Sequence, residues 1–158
     1  MSEGTTFLTP AAHARMEEEL DHLKTVGRRE IEERIAEARS HGDLRENADY
    51  DAAKNDQGMM EARIRKLEHL LHTAEVREVA DTGKVEIGSV VTVLDSDGEE
   101  MEYFVAPQEN KVAGLFLASP DSPLGSSLLG ASVGDSVDYE APGGTFTVVI
   151  RSIRPYEA

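Results

Sequence analysis

The fold is decided by residues 53–74, which read AKNDQGMMEARIRKLEHLLHTA. Apolar or small residues recur in this stretch at alternating spacings of four and three, the pattern of one face of a coiled coil. The members of this face are Ala53, Gln57, Met60, Ile64, Leu67, Leu71 and Ala74. Only Gln57 is polar. We therefore expect a long helix, from Ala48 to about Ala74, whose apolar face needs a partner.

The stretch before it supplies that partner. A helix is predicted from Pro10 to about Ser40, because Thr9 can cap it and proline is well tolerated at a first helical position. Its apolar face consists of Met16, Leu20, Leu23, Ile31, Ile35 and Ala38. Gly27 is its weak point, where a kink or local loosening is expected. Since few residues separate the two faces, the helices should fold back as an antiparallel pair about 45 Å long.

Two acids lie between the helices, in the segment Gly42-Asp43-Leu44-Arg45-Glu46-Asn47. Gly42 suits the end of the first helix and Asn47 the cap of the second, so Asp43 and Glu46 fall in the tip of the hairpin (residues 41–47). Capping and the helix dipole explain Asp49 and Asp51 well, but they explain Asp43 poorly. Two carboxylates alone bind Mg²⁺ weakly. The sequence therefore indicates a metal ion shared with a partner.

Basic residues near the tip are a second candidate group. Arg39, Arg45 and Lys54 lie close to it, and Arg45 and Lys54 are close enough to the tip to touch an RNA phosphate if the acids approach one. The remaining arginines are predicted to form salt bridges on a solvated surface, such as Glu30 with Arg34 and Glu61 with Arg65, at i,i+4 spacing.

Beyond Ala80 the helical period gives way to alternation with many Gly and Pro residues. The strands are predicted at 89–94, 100–105, 114–118, 135–140 and 145–153, with a short helix at 122–129. We thus expect an α+β chain with three parts: an N-terminal antiparallel coiled-coil hairpin (1–79), a linker (80–87), and a small C-terminal domain of antiparallel sheet plus one helix (88–158).

Composition restricts the possible functions. The chain of 158 residues carries 31 acidic and 16 basic residues, a formal charge of −15 that would repel bare nucleic acid. It has no cysteine, which excludes disulfides and thiolate chemistry. No apolar run approaches a membrane span, and the start lacks the features of a signal peptide. We expect a cytoplasmic protein with no membrane partner.

The tip also carries a resemblance to a known family. Residues 36–50, AEARSHGDLRENADY, continuing through Ala52-Ala53-Lys54 to Gln57-Gly58, resemble the signature of the bacterial transcript cleavage factors GreA and GreB. A second similar signature comprises SPDSPLG at 119–125, Leu128-Leu129-Gly130 and Gly134-Asp135. The resemblance covers almost the whole chain in order, and its charge is closer to that of GreA.

The resemblance implies an accessory factor rather than an enzyme, and a monomer. Its coiled coil would enter the secondary channel of bacterial RNA polymerase, and its C-terminal domain, similar to FK506-binding proteins (FKBP-like), would dock at the channel mouth. Asp43 and Glu46 would share a Mg²⁺ ion at the polymerase active site, near the 3′ end of backtracked nascent RNA. Expected contacts with RNA or polymerase near the tip are Arg39, Arg45, Asn47, Tyr50 and Lys54. Expected docking residues are Asp121, Ser122 and Pro123.

Three alternatives stay open. Asp49 and Asp51 stand where the family commonly has Glu and His, and an acid-rich tip is also compatible with a related factor that occupies the channel and inhibits without cleavage. A peptidyl-prolyl isomerase would require an aromatic pocket from few aromatic residues, among them Phe104, Phe116 and Phe146. A structural coiled-coil adaptor would tolerate loss of the tip acids.

Overall fold

The computed structural model describes residues 6–40 and 47–157. Its contacts divide the described chain into two units: a hairpin unit, His13–Ala74, and a sheet unit, Thr6–Ala12 together with 75–157. The units divide between Ala74 and Glu75, a few residues before the linker predicted at 80–87, and Thr6–Ala12 groups with the sheet. In the described residues, no helix is both long enough and apolar enough to cross a membrane.

Both predicted helices are confirmed. The first consists of α1 (Pro10–His22), a π-helical turn (Leu23–Gly27) and α2 (Arg28–Ser40), and the second is α3 (Ala48–Thr73). The Thr9 hydroxyl accepts a hydrogen bond from the Ala12 amide at 3.1 Å, and the Asn47 side chain accepts one from the Tyr50 amide at 2.9 Å. Each predicted cap therefore satisfies an amide that the helix itself leaves without a partner.

The π turn lies at the predicted weak point, and the sequence contains its cause. Leu23 and Ile31 are eight residues apart, whereas the heptad pattern of α3 has equivalent positions seven apart. The Arg28 amide donates to the Leu23 carbonyl, five residues back, so the turn holds one residue more than an α-helix would. This extra residue keeps Ile31 and Ile35 on the face that packs against α3, where both are buried.

The apolar face is confirmed with one correction. Ile31, Ile35 and Ala53 form a buried cluster, with Tyr50 and Met60 packed against it. At the C-terminal end of α3, Leu70 is buried and the predicted Leu71 is only partly so. The buried residues there follow steps of three (64, 67, 70), which turns the buried face of α3 away from the heptad line.

Ion pairs join the two helices across the hairpin, whereas the predicted partners lay along one helix. Arg28 binds both carboxylate oxygens of Glu61 at 2.9 and 3.0 Å, and Arg63 binds both of Glu19 at 2.7 and 2.8 Å. The other pairs are Arg34 with Asp56 and Lys24 with Glu68. In the described residues, Arg34 binds Asp56 rather than the predicted Glu30, and Glu61 binds Arg28 rather than the predicted Arg65. Antiparallel packing brings residues that flank the apolar face within reach of a guanidinium on the opposite helix.

These pairs shift the ionisation of their acids. The hydrogen bonds from Arg63 hold the pKa of the Glu19 carboxyl below its usual range, and those from Arg28 do the same to the pKa of Glu61. The pairs are partly exposed, so water screens them and they contribute little to the free energy of folding. Their greater effect is on alignment, because a bidentate pair is satisfied at only one register of the two helices.

The sheet unit contains the five predicted strands and the helix, with bounds shifted by up to two residues. These are β3 (Ser89–Leu94), β4 (Glu100–Val105), β5 (Phe116–Ala118), α4 (Pro123–Leu128), β6 (Ser136–Ala141) and β7 (Gly144–Pro155), in the spatial order β5-β4-β3-β7-β6. One pairing differs from the prediction: β5 runs parallel to β4, so the sheet is mixed rather than wholly antiparallel. The connection between them, residues 106–115, includes a 3₁₀ turn, Gln108–Asn110, and returns the chain so that β5 runs in the same direction as β4.

Strand β3 lies at the centre of this sheet and is apolar on both faces. Val91 and Val93 pack with Leu128 of α4 on one face, whereas Val90 packs with Phe104 on the other. Neighbouring residues of a strand point to opposite faces, so both faces bury apolar side chains. Because both faces of the sheet are packed, the sheet is a rigid surface on which α4 and the residues before it lie.

The start of the chain is held by one buried side chain. Asn110 is 0% exposed; its amide nitrogen donates to the Phe7 carbonyl at 2.9 Å, and its oxygen accepts from the Thr9 amide at 2.8 Å. Two short strands, β1 (Phe7–Leu8) and β2 (Glu75–Val76), pair in parallel beside it. Sequence patterns did not predict these strands, because each is only two residues long.

The π turn yields a test of the register argument. Deletion of Thr25, an exposed residue of that turn, restores seven-residue spacing and should change the free energy of unfolding by less than about 1 kcal/mol. Deletion of Glu33, an exposed residue of α2, puts Ile31 or Ile35 out of register and should cost about 2 kcal/mol or more. Thermal unfolding followed by circular dichroism compares them. Equal destabilisation by the two deletions would contradict the argument.

Candidate functional site

The acids of the tip, Asp43 and Glu46, lie outside the described residues, as does Arg45. The structure describes the two helix ends that flank them, Ser40 of α2 and Asn47 before α3. The geometry of the site is therefore given by the side chains at these ends and by the acids and bases just behind them.

Asn47 joins the two helix ends. Its amide nitrogen donates to the Ala38 carbonyl of α2 at 2.7 Å, while its oxygen accepts from the Tyr50 amide of α3 at 2.9 Å. Both ends of this side chain are thus used inside the protein. The sequence predicted its cap, but the bond to Ala38 joins residues nine apart and has no local signal. Asn47 was expected to contact RNA or polymerase, and the structure places its side chain in an internal bridge.

A second link lies beside the first. The Arg39 guanidinium carbon lies 5.6 Å from the centroid of the Tyr50 ring, within the range of a cation–π interaction. A hydrogen bond from Arg39 also lowers the pKa of the Tyr50 hydroxyl. Both residues had been predicted as contacts near the tip. In the structure they contact one another, α2 to α3.

The remaining residues that the sequence singled out behind the tip, Lys54, Asp49 and Asp51, are exposed. The Lys54 ammonium donates to the Gln57 side chain on its own helix at 2.9 Å, and it remains exposed. Asp49 and Asp51 lie exposed in the first turn of α3, where the helix dipole favours negative charge. Residues 6–40 and 47–157 contain no group of three side chains that could hold a metal ion.

The predicted docking residues lie in the turn before α4. The Ser122 hydroxyl accepts from the Gly125 amide at 3.1 Å and donates to the Ser119 carbonyl at 2.7 Å, so its hydrogen bonds are made within this turn. Asp121 and Pro123 on either side of it are exposed. Ser122 therefore shapes the turn, and its two neighbours are available to a partner.

A groove lies next to Pro123, between α4 and the β6–β7 hairpin, with a volume of about 380 Å³. Its walls include Asp138, Tyr139 and Glu140. Tyr139 stacks on its cross-strand neighbour Phe146 with ring centroids 5.8 Å apart, and Phe146 is 42% exposed. Sequence reasoning missed this groove. The signal was available, because an aromatic residue lies in each of the strands predicted at 135–140 and 145–153, at positions that pair across the connection between them.

The aromatic residues of the sheet unit are divided between its two faces. Phe104 is buried and stacks on Tyr156 at 4.6 Å, whereas its neighbour Tyr103 lies on the other face and pairs with Phe116. Side chains of adjacent strand residues point to opposite faces of the sheet. The three phenylalanines required by the isomerase alternative thus do not come together.

Gly125 tests whether the turn before α4 is rigid. A β-carbon at this position would lie 1.9 Å from the Ser119 carbonyl oxygen, so Gly125→Ala must displace the turn. We expect a loss of about 1–3 kcal/mol in unfolding free energy, as for other overpacked sites. Ser126→Ala, at the exposed neighbouring position, is the matched control and should lose less than about 0.5 kcal/mol. Equal stability of the two variants in thermal unfolding would show that the turn is not held as described.

Comparison with known proteins gives matches over nearly the whole chain. The family model described as "Transcription elongation factor, N-terminal" matches residues 6–76, and that described as "Transcription elongation factor, GreA/GreB, C-term" matches residues 80–155. Transcription elongation factor GreA of Clostridium perfringens is 42% identical over 157 residues, covering 98% of this chain and 99% of the relative. That of Streptomyces coelicolor is 43% identical over 159 residues, covering 98% and 96%.

Solved structures match more distantly. The GreA factor homolog 1 (Gfh1) protein of Thermus thermophilus is 27% identical, covers 95% of this chain and 99% of that one, and superposes with a TM-score of 0.44. The family membership rests instead on the two matched family models and on relatives above 40% identity. The chain belongs to the GreA/GreB family of transcription elongation factors.

Proposed function

We propose that this transcription elongation factor enters the secondary channel of bacterial RNA polymerase and stimulates the polymerase's own cleavage of backtracked nascent RNA. The observation that carries the proposal is a hairpin unit whose two helix ends are bonded together on either side of the segment that contains Asp43 and Glu46. The chain is an accessory factor rather than an enzyme, as family membership establishes. We place it in the cytoplasm as a monomer, acting near the 3′ end of the RNA.

The acids of the tip suit Mg²⁺, which prefers oxygen ligands. The described residues offer no group of three ligands, and two carboxylates fill only part of the six-oxygen shell of this ion. Asp43 and Glu46 would therefore hold an ion whose other ligands come from the polymerase and the RNA. When bound, such an ion would activate water and stabilise charge at the phosphate. Arg45 and the exposed Lys54 remain proposed contacts for RNA phosphate.

The sheet unit offers a surface for the polymerase itself. Asp121 and Pro123 are exposed on a turn that internal bonds make rigid, and the adjoining groove adds the acids Asp138 and Glu140. The exposed Phe146 stacks on Tyr139 of the groove wall. An aromatic side chain bordered by acids is suited to a partner that presents an apolar side chain and basic groups. We propose that this surface docks at the mouth of the channel.

The alternative, a factor that blocks the channel without stimulating cleavage, has less support. It was motivated by the acids Asp49 and Asp51. Both lie in the first turn of α3, where the dipole accounts for them without any role at a metal. The relatives at 42 and 43% identity, moreover, carry the name of an elongation factor.

Removal of the tip acids tests the proposal. Asp43→Asn with Glu46→Gln keeps the size of both side chains and removes their charge, so release of RNA from a backtracked complex in Mg²⁺ should fall by about 10–100-fold. The matched control is Asp49→Asn with Asp51→Asn, which removes the same charge from the start of α3 and should change the rate by less than about threefold. A slowing of elongation without any RNA release by the wild type would identify a channel-blocking inhibitor. Unchanged release by the first variant would favour the structural adaptor.

A further inference from the structure

The bridge made by Asn47 does more than cap a helix. A cap requires only an oxygen that accepts a hydrogen bond, and serine, threonine and aspartate supply one as well as asparagine does. Here the same side chain also donates, through its amide nitrogen, to the Ala38 carbonyl of the opposite helix at 2.7 Å. Of the common capping residues, only asparagine has a planar amide that offers an acceptor on one side and a donor on the other.

The carbonyl that receives this bond belongs to the last turn of α2. Asn47 therefore bonds at once to a carbonyl near the C-terminal end of α2 and to an amide in the first turn of α3. Ala38 itself is buried, at 2% exposure, so its backbone is fixed by packing. The bond therefore ties the start of α3 to a rigid part of α2.

The contact between Arg39 and Tyr50 crosses the hairpin at the same level. Two cross-links thus lie immediately behind the segment that contains the tip acids. Tyr50 also packs against the buried cluster of Ile31, Ile35 and Ala53, so this cross-link continues into the packed hairpin.

We propose that Asn47 is a positioning residue for Asp43 and Glu46: its double hydrogen bond fixes the separation of the two helix ends from which those acids are presented. The inference rests on the proposed function, in which the acids hold a shared ion. A displacement of about 1 Å in a reacting group can cost about 100-fold in rate, and residues that orient metal ligands typically contribute about 10–100-fold. Asn47 therefore determines the position of the two acids relative to the metal ion. It does not determine the affinity of the chain for the polymerase.

The decisive variant is Asn47→Ser, which keeps a capping oxygen and adds no charge. Its hydroxyl lies one bond closer to the backbone than the amide nitrogen of asparagine, so it does not span to the Ala38 carbonyl while it caps α3. The control is Ala62→Gly, at an exposed position of α3, which weakens the helix without touching the bridge. With backtracked complexes saturated by each variant, Asn47→Ser should lower the maximal rate of RNA release by about 10-fold and raise the Mg²⁺ concentration for half-maximal release. Its affinity in competition with wild type for the polymerase should stay within about twofold. Ala62→Gly should match the wild type in all three quantities.

A second measurement needs no polymerase. The chain has no cysteine, so Ser40→Cys with Ala48→Cys introduces one pair of thiols, one at each helix end. Disulfide formation in the free protein should change several-fold when Asn47→Ser is added, because the bridge sets the separation of the helix ends, and it should stay unchanged when Ala62→Gly is added. Identical disulfide rates with and without Asn47→Ser, or an equal loss of RNA release in Ala62→Gly, would overturn the positioning role. If the wild type releases no RNA, the proposed function fails, and the disulfide rates alone then decide whether Asn47 holds the helix ends together.

Discussion

The packing of one apolar face against another, along two antiparallel helices, is the constraint on which the hairpin unit depends. Strand pairing has no part in this unit, so buried residues such as Ile31, Ile35 and Ala53 must stabilise it by excluding water. Packing of this kind works at only one register. The π turn at Leu23–Gly27 accommodates one extra residue, so that the apolar faces stay aligned. The bidentate pair of Arg28 with Glu61 forms only when the two helices are in this register.

Most of the local structure could be predicted from the sequence. Both helices, their caps at Thr9 and Asn47, the five strands and the short helix before Gly130 follow from patterns within a few residues of one another. The loosening at Gly27 was predicted as well, although for the wrong reason. The glycine is one contributor, but the eight-residue spacing from Leu23 to Ile31 was the stronger signal.

The features that were missed are those that join distant parts of the chain. The partners of Arg34 and Glu61 lie on the opposite helix, and the parallel pairing of β5 with β4 depends on how a connection crosses the sheet. The bond from Asn47 to Ala38 is of the same kind. A single sequence indicates which residues can form a bond or a strand, but not which distant partner the fold will supply. For the candidate site, the sequence predicted which residues lie near the tip. It did not predict that Asn47, Arg39 and Tyr50 join the two helices.

The structure divides the proposed task between the two units. The sheet unit presents a rigid turn and an acidic groove with an aromatic side chain, features that suit binding. The hairpin unit presents two helix ends tied together behind a pair of acids, which suits presentation of those acids to a metal. Affinity and chemistry would then depend on different residues, and variants of Asn47 or Phe146 would separate them.

Photo-crosslinking in a backtracked elongation complex tests the central claim most directly. A photoreactive amino acid at Ala48, exposed at the start of α3, should crosslink to the 3′-terminal segment of the nascent RNA, because the account places this end of the hairpin at the active site. The same group at Ala62, about 21 Å further along α3, should crosslink to polymerase protein and not to RNA. RNA crosslinks from neither position, with protein crosslinks at the outer surface of the polymerase, would contradict insertion of the hairpin and with it the proposed function.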